Sequence, residues 1–185
     1  MAKIDLDYIK NKIGIFILKL KRKKVPKILI FCPQRTFSNY LENFLVKNFY
    51  IDVINSTDKI RNYDNPIHKH TFKIDTKIKE KYDNKNYIIF LLYKNSNFWI
   101  ESLDRNDQDF FDQFLYHHKI YIKRDDKIKL KEYHRNWYKN WINYLNNFSN
   151  AEFVNHEQTF DLKNNLSLFN YLKSKYKLVN KGKIK

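Results

Sequence analysis

Apolar residues fall into two kinds of run along this chain. Nearly unbroken blocks at 27–32 (KILIFC) and 87–93 (YIIFLLY) read as strands covered on both faces. Residues 50–54 and 151–155 read as shorter strands, and 67–74 (IHKHTFKI) alternates as a third strand would. Elsewhere the apolar residues are spaced three and four apart. Tyr40, Leu41, Phe44 and Leu45 share one face of a helix over 36–48, and Trp137, Trp141, Tyr144 and Leu145 one face of a helix over 132–148. A helix over 98–117 breaks near 104–107, the polar stretch 119–131 follows neither period, and 162–176 reads as a last helix. Strands alternating with helices predict an α/β fold: three layers, with a mostly parallel sheet of four to five strands flanked by helices. No repeat or linker divides the chain, so 1–185 reads as a single domain, with an amphipathic helix and basic cluster over 1–26 and a basic tail over 177–185.

Composition narrows the class. Hydrophobic residues make up 43% of the chain and aromatics 17%, which excludes a disordered polycation. Only 2 Gly and 3 Pro are present, so tight turns fall to Asn and Asp. Cys32 is the single cysteine, which excludes an intrachain disulfide and suits a reducing compartment. The apolar run at 13–18 is far short of the about 20 residues of a bilayer span, and acidic residues precede it without a cleavage pattern after it. A cytoplasmic location is the expectation.

The formal net charge is +16, and it is unevenly placed. Residues 19–27 hold six basic residues and no acid, as do 173–185, so the two flanks carry +12 of the total. Such a chain attracts nucleic acid, anionic membrane or an anionic small molecule. No motif that reads nucleic acid is present, which disfavours that partner. The N-terminal helix packs on the body or makes peripheral contact with an anionic membrane.

In parallel sheets ligands gather beyond the carboxyl ends of strands, near helix N-termini. Two junctions therefore matter. At the first, a strand ends and Pro33-Gln34-Arg35-Thr36-Phe37-Ser38-Asn39 leads into a helix. Helix N-termini expose N–H groups that suit an anion, Arg35 adds a cation, and Thr36 and Ser38 add hydroxyls. Ser38 or Asn39 serves equally well as a plain helix cap. A Walker sequence is missing, which disfavours an ordinary ATPase or GTPase. At the second junction, Lys94 ends a strand and Ser102 follows eight residues later.

These two segments resemble the nucleotide-binding signatures of the sulfotransferases, which have a P-loop-kinase-like fold. Family members carry Pro-Gln-Arg-Ser-Gly-Thr-Thr-Trp-Leu or Arg-Ser-Gly-Thr-Asn-Tyr-Leu-Glu after the first strand. Pro33, Gln34, Arg35, Asn39, Tyr40, Leu41 and Glu42 match, Thr36 and Ser38 are conservative exchanges, and Phe37 stands where the family has Gly. That Gly lets the backbone approach the phosphosulfate. The second signature reads Lys-Asn-Pro-x-x-Trp-x-x-Ser. Lys94, Asn95, Trp99 and Ser102 fit its register, with Ser96 in place of Pro.

The resemblance implies 3′-phosphoadenosine 5′-phosphosulfate (PAPS) as an anionic nucleotide cofactor and a hydroxyl or amine, of a glycan or small metabolite, as acceptor, with no metal. It implies that Gln34, Arg35, Thr36, Phe37, Ser38, Asn39 and Tyr40 hold the sulfate, 5′-phosphate and adenine, and that Lys94 and Ser102 hold the 3′-phosphate. Arg35 neutralises the leaving group and His70 is the catalytic base, with His68 its rival. A His-x-His pair on a strand puts both rings on one face and is also a metal-ligand pattern, but no acidic or cysteine cluster completes it. Glu157 reads as structural, and Lys181-Gly182 faintly echoes the family's C-terminal basic loop. Two other readings stay open: a basic binding module without catalysis, and a degenerate sulfotransferase blocked at Phe37.

Overall fold

The computed structural model describes residues 6–56, 59–60, 62, 65–71, 74–155 and 162–182, and side chains in the last segment from 165 onward. Eleven elements follow one another there: α1 (Leu6–Leu20), β1 (Lys27–Phe31), α2 (Ser38–Asn48), β2 (Asp52–Val53), α3 (Lys77–Tyr82), β3 (Tyr87–Tyr93), α4 (Ser96–Asp104), α5 (Gln108–His118), α6 (Lys127–Leu145), β4 (Ala151–Asn155) and α7 (Leu162–Tyr176). The four strands form one sheet in the order β2-β1-β3-β4, and every pairing is parallel.

Alternation along the central strands divides the core. Leu29 and Phe31 of β1, with Ile89 and Leu91 of β3, face α3, α4, α5 and α6. Ile28, Ile30 and Cys32, with Ile88, Phe90 and Leu92, face α2 and α7. Both faces are covered, which is why these strands read as continuous apolar runs. Trp137 and Trp141 of α6 are fully buried on the first face, and Trp141 stacks on Phe31 at 4.2 Å between ring centroids.

The strand order places a topological switch at β1 and β3. From β1 the chain crosses to β2 on one side, then returns to β3 on the other, so a crevice opens at the carboxyl ends of β1 and β3. The loops after Phe31 and after Tyr93 border it.

The outer edge of β1 is completed in three ways. β2 supplies partners to its first half and Ile54 donates its N–H to the Ile28 carbonyl at 2.8 Å. The fully buried Asn55 side chain then takes over: Oδ1 accepts the Ile30 N–H at 2.9 Å and Nδ2 donates to the Ile30 carbonyl at 2.7 Å. Finally the Lys69 carbonyl accepts the Cys32 N–H at 2.9 Å.

That last contact corrects the expected strand over 67–74. Residues 65–71 form consecutive turns, with His68 N–H on the Asn65 carbonyl at 2.8 Å and Thr71 N–H on the His68 carbonyl at 3.0 Å. His68 and Lys69 are adjacent and both buried, which a strand's alternation would not produce. Two helix starts also differ. The helix expected over 36–48 begins at Ser38, leaving Thr36 and Phe37 in the loop. The helix expected over 132–148 begins at Lys127, because Asp126 caps it by accepting the Lys129 N–H. The short α3 was not foreseen. Nor do all of residues 177–185 trail as a tail: the Val179 carbonyl accepts the Tyr50 N–H at 3.0 Å and the Asn48 carbonyl accepts the Lys181 N–H at 2.9 Å. His156 and Glu157 lie outside the described residues. Among the described residues no helix is long and apolar enough to cross a membrane.

Replacing Asn55 by Leu should leave the Ile30 N–H and carbonyl buried without partners. The expected loss is about 2–4 kcal/mol, read as a lower urea midpoint with an unchanged slope. A variant as stable as the wild type would show that the Asn55 amide does not complete the sheet edge.

Candidate functional site

The segment from Cys32 to Asn39 lies in the crevice between the ends of β1 and β3. Its backbone is unusual at two residues. Arg35 sits at φ 62° and Phe37 at φ 29°, ψ 22°, both in the left-handed region. A side chain at such angles is strained, which matters most for bulky Phe37. Phe37 thus takes the type of backbone angle for which glycine is suited. Successive turns of this hand curl a backbone into a concavity that suits an anion. The helix behind it, α2, has no side chain capping its N-terminus. The expected cap by Ser38 is not formed; the Ser38 hydroxyl instead bonds the Cys32 thiol.

Three other segments fasten this loop. From the second junction, the Lys94 ammonium donates to the Arg35 carbonyl at 3.3 Å and to the Ser102 hydroxyl. Ser102 in turn donates to the Phe98 carbonyl at 2.7 Å. Trp99 Nε1 donates to the Gln34 carbonyl at 2.7 Å. From α6, the Tyr138 hydroxyl donates to the Leu92 carbonyl at 2.6 Å and accepts the Lys94 N–H at 3.3 Å. From the turns at 65–71, His70 Nδ1 donates to the Cys32 carbonyl at 3.0 Å, and Lys69 Nζ donates to Asn39 Oδ1 at 2.7 Å while lying 3.5 Å from the Glu42 carboxylate.

The two sequence signatures and the histidine segment therefore meet on one loop. Arg35 and His70 each contact or form part of 32–35, Lys94 reaches it directly, and Ser102 joins through Lys94. The Arg35 guanidinium is solvent-exposed and lies 5.5 Å from the Phe110 ring centroid. Gln34, Thr36 and Ser38 are buried, and Asn39 and Tyr40 are exposed, with the Tyr40 hydroxyl accepting from Asn165 Nδ2 at 2.9 Å.

The electrostatics are one-sided around Lys94. It is 7% exposed, and among the described residues no carboxylate forms an ion pair with it. Its pKa is pushed below the ordinary lysine value first by burial, then by the Arg105 and Arg35 cations, with Glu101 opposing them weakly. A buried ammonium among cations is costly, and an anion that completed its hydrogen bonding would lower that cost.

The two candidate bases differ in the nitrogen each keeps free for a proton. His70 Nδ1 faces a carbonyl, so it carries the hydrogen and leaves the lone pair on Nε2. Burial holds this ring's pKa well below the usual histidine value, so it is neutral at pH 7. His68 Nδ1 instead accepts the His70 N–H at 3.2 Å, which commits its lone pair to the turn. The rings meet edge to face at 5.5 Å, but on turns, so the shared-face argument for a strand pair does not hold. Cys32 lies 3.6 Å from His70 Nδ1. Its thiol is fully buried and burial pushes its pKa up to about 12, which disfavours a thiolate at this position.

Sequence reasoning overlooked Lys69 and Arg105. Lys69 is buried to 2% exposure between two histidines that drew attention away from it. Arg105 follows Ser102 by three residues, one helical turn along α4, a spacing that could have found it. A cavity of about 350 Å³, lined by Leu91, Tyr93, Tyr138, Ile142, Asn146 and Phe153, opens beside the end of β3. It shares Tyr138 with the Lys94 contact but includes neither His70 nor residues 32–40.

Buried histidines also make stability depend on pH. Burial lowers the pKa of His68 to about 4, of His134 to about 4 and of His118 to about 3, and lowers His70 as well. In the unfolded chain each titrates near 6.5. Below pH 6.5 the unfolded state binds protons that the folded state refuses, so stability is complete above that pH and lost as pH falls toward 4. The slope should reach up to about 1.4 kcal/mol per pH unit for each histidine. Urea unfolding between pH 7 and 4.5 reads this directly, and a flat profile would show that the histidines are solvated.

No family model, curated protein or solved structure matches this chain.

Proposed function

We propose that the protein is a PAPS-dependent sulfotransferase, acting on a hydroxyl or amine acceptor, with its nucleotide site in the crevice at the ends of β1 and β3. The observation that carries this reading is the bond network joining Arg35, Lys94 and Ser102. Residues 59 and 67 positions apart in sequence are joined by hydrogen bonds at the point where the two signatures predict one nucleotide. The donor set fits such a ligand. Lys94 is a buried cation that forms no ion pair among the described residues, and the left-handed loop at Arg35 and Phe37 leads into a helix end that no side chain caps.

The bound nucleotide supplies the sulfuryl group. The chain's own residues position and stabilise, as in other in-line transfers. The backbone of 35–39 and the Arg35 guanidinium offset negative charge at the sulfate and 5′-phosphate. Lys94 and Ser102 hold the 3′-phosphate, and Tyr40 borders the adenine. His70 receives the acceptor's proton at Nε2, for which it is ready because it is neutral at pH 7. The strained Phe37 favours one second reading, a binding-only member of the family in which nucleotide is held without transfer.

Titration calorimetry with the desulfated nucleotide, 3′-phosphoadenosine 5′-phosphate, tests the site. Arg35→Ala and Lys94→Met should each weaken binding at least about tenfold, or 1.4 kcal/mol. His70→Ala should keep binding and lower transfer by about 10²–10⁴-fold. A folded wild type that does not bind would overturn the family reading. Binding that survives both cation substitutions would move the site elsewhere. Binding without any transfer would leave the binding-only reading.

A further inference from the structure

Helix α1 has two unlike faces. Asn11 and Leu18 are buried against the body, with Gly14 between them. Asn11 Nδ2 donates to the Ile51 carbonyl at 2.8 Å. Gly14 packs so closely on Tyr50 that a Cβ there would lie 1.9 Å from a ring carbon. The opposite face carries Leu6, Ile9, Ile13, Phe16, Ile17 and Leu20, spaced three and four apart and exposed by 40% to 67%. At about 100° per residue these six form a single stripe turned away from the body. The same geometry puts Lys10 on one flank of the stripe and Lys12 and Lys19 on the other, all exposed, with Asp7 on the packed side. The exposed cluster Lys21, Arg22, Lys23 and Lys24 follows directly.

A C-terminal lysine also lies close to α1. Lys181 Nζ sits 5.1 Å from the centroid of the Tyr50 ring, the ring that receives Gly14. Asn180 bridges to Phe49, just before it. Lys181 thus lies beside the packed face of α1, whose opposite face carries the apolar stripe and its bordering lysines.

We propose that this face docks on an anionic lipid bilayer, with α1 lying in the plane of the interface. Charge complementarity selects this occupant. An amphipathic helix whose apolar stripe is bordered by lysines sits at the headgroup level, stripe inward and cations against anionic lipid. A second copy of the chain is disfavoured. A two-fold contact through the stripe would set the same lysine borders against each other with no acidic residue on the stripe to pair them. The proposal rests on α1 and its neighbours alone and stands apart from the nucleotide site.

The test is sedimentation of the full chain with phosphatidylcholine vesicles, with and without about one-third phosphatidylserine. Ile13→Ser/Phe16→Ser changes only exposed positions, and circular dichroism checks that it is folded. The wild type should bind the phosphatidylserine vesicles at least about tenfold more tightly than phosphatidylcholine alone, and the double variant should lose at least about tenfold of that binding. Lack of binding by the wild type would overturn the proposal. So would binding unchanged in the double variant, which is mere attraction of a basic chain. Light scattering decides the remaining case: a wild-type dimer that the double variant abolishes, or RNA binding that it abolishes, would assign the stripe to that partner instead.

Discussion

A strand buried on both faces must pass its chain into the next loop with every peptide group paired, because no water reaches it. Here that demand falls on residues 32–39, between β1 and α2. It is met from outside the loop. His70, Lys69, Lys94 and Trp99 each bond a backbone or side-chain group of this short segment. The loop can therefore hold left-handed angles at Arg35 and Phe37, since strain of this kind persists only where surroundings over-determine it. Two of these groups, His70 and Lys94, are also those to which the proposed function gives chemical roles.

This arrangement explains how cations come to be buried beside one another. Lys69 is satisfied by Asn39 and stands near Glu42, a local pairing that suits a structural lysine. Lys94 is different, because its neighbours Arg35 and Arg105 share its sign and its hydrogen bonds go to neutral oxygens. That placement is costly, which is why the proposed function puts an anion beside it. The net charge of the chain says little about this point, since most of it is carried by the flanks.

The flanks have a separate physical logic. Tyr50 is their meeting place, with the α1 backbone at Gly14 against its ring and Lys181 near the same ring. A glycine is needed there because any larger residue would collide with the ring. Packing through Asn11, Gly14 and Leu18 leaves the larger apolar residues of α1 facing outward. Ordinary core packing would do the reverse.

By itself, the sequence determined the layered architecture. The blocks at 27–32 and 87–93 read as doubly covered strands, the Trp137/Trp141 spacing reads as a helix face, and the break near 104–107 is marked by its acidic, polar residues. These are local periodicities, and local periodicity is written in the chain. The resemblance of its two junction segments to sulfotransferase signatures drew attention to Arg35, Lys94 and Ser102. Tertiary structure decided the rest. Residues 67–74 alternate like a strand, but 67–71 form turns, with Asn55 and the Lys69 carbonyl completing the edge of β1. Which ring nitrogen of His70 and of His68 faces a hydrogen-bond partner is likewise something no spacing encodes. The helix start at Lys127 depended on a cap at Asp126, and the roles of Lys69 and Arg105 on partners far along the chain or one turn away. The direction in which α1 turns its apolar stripe is of the same kind. An amphipathic pattern says that two faces differ; only packing against Tyr50 and Ile51 says which of them is left in solvent.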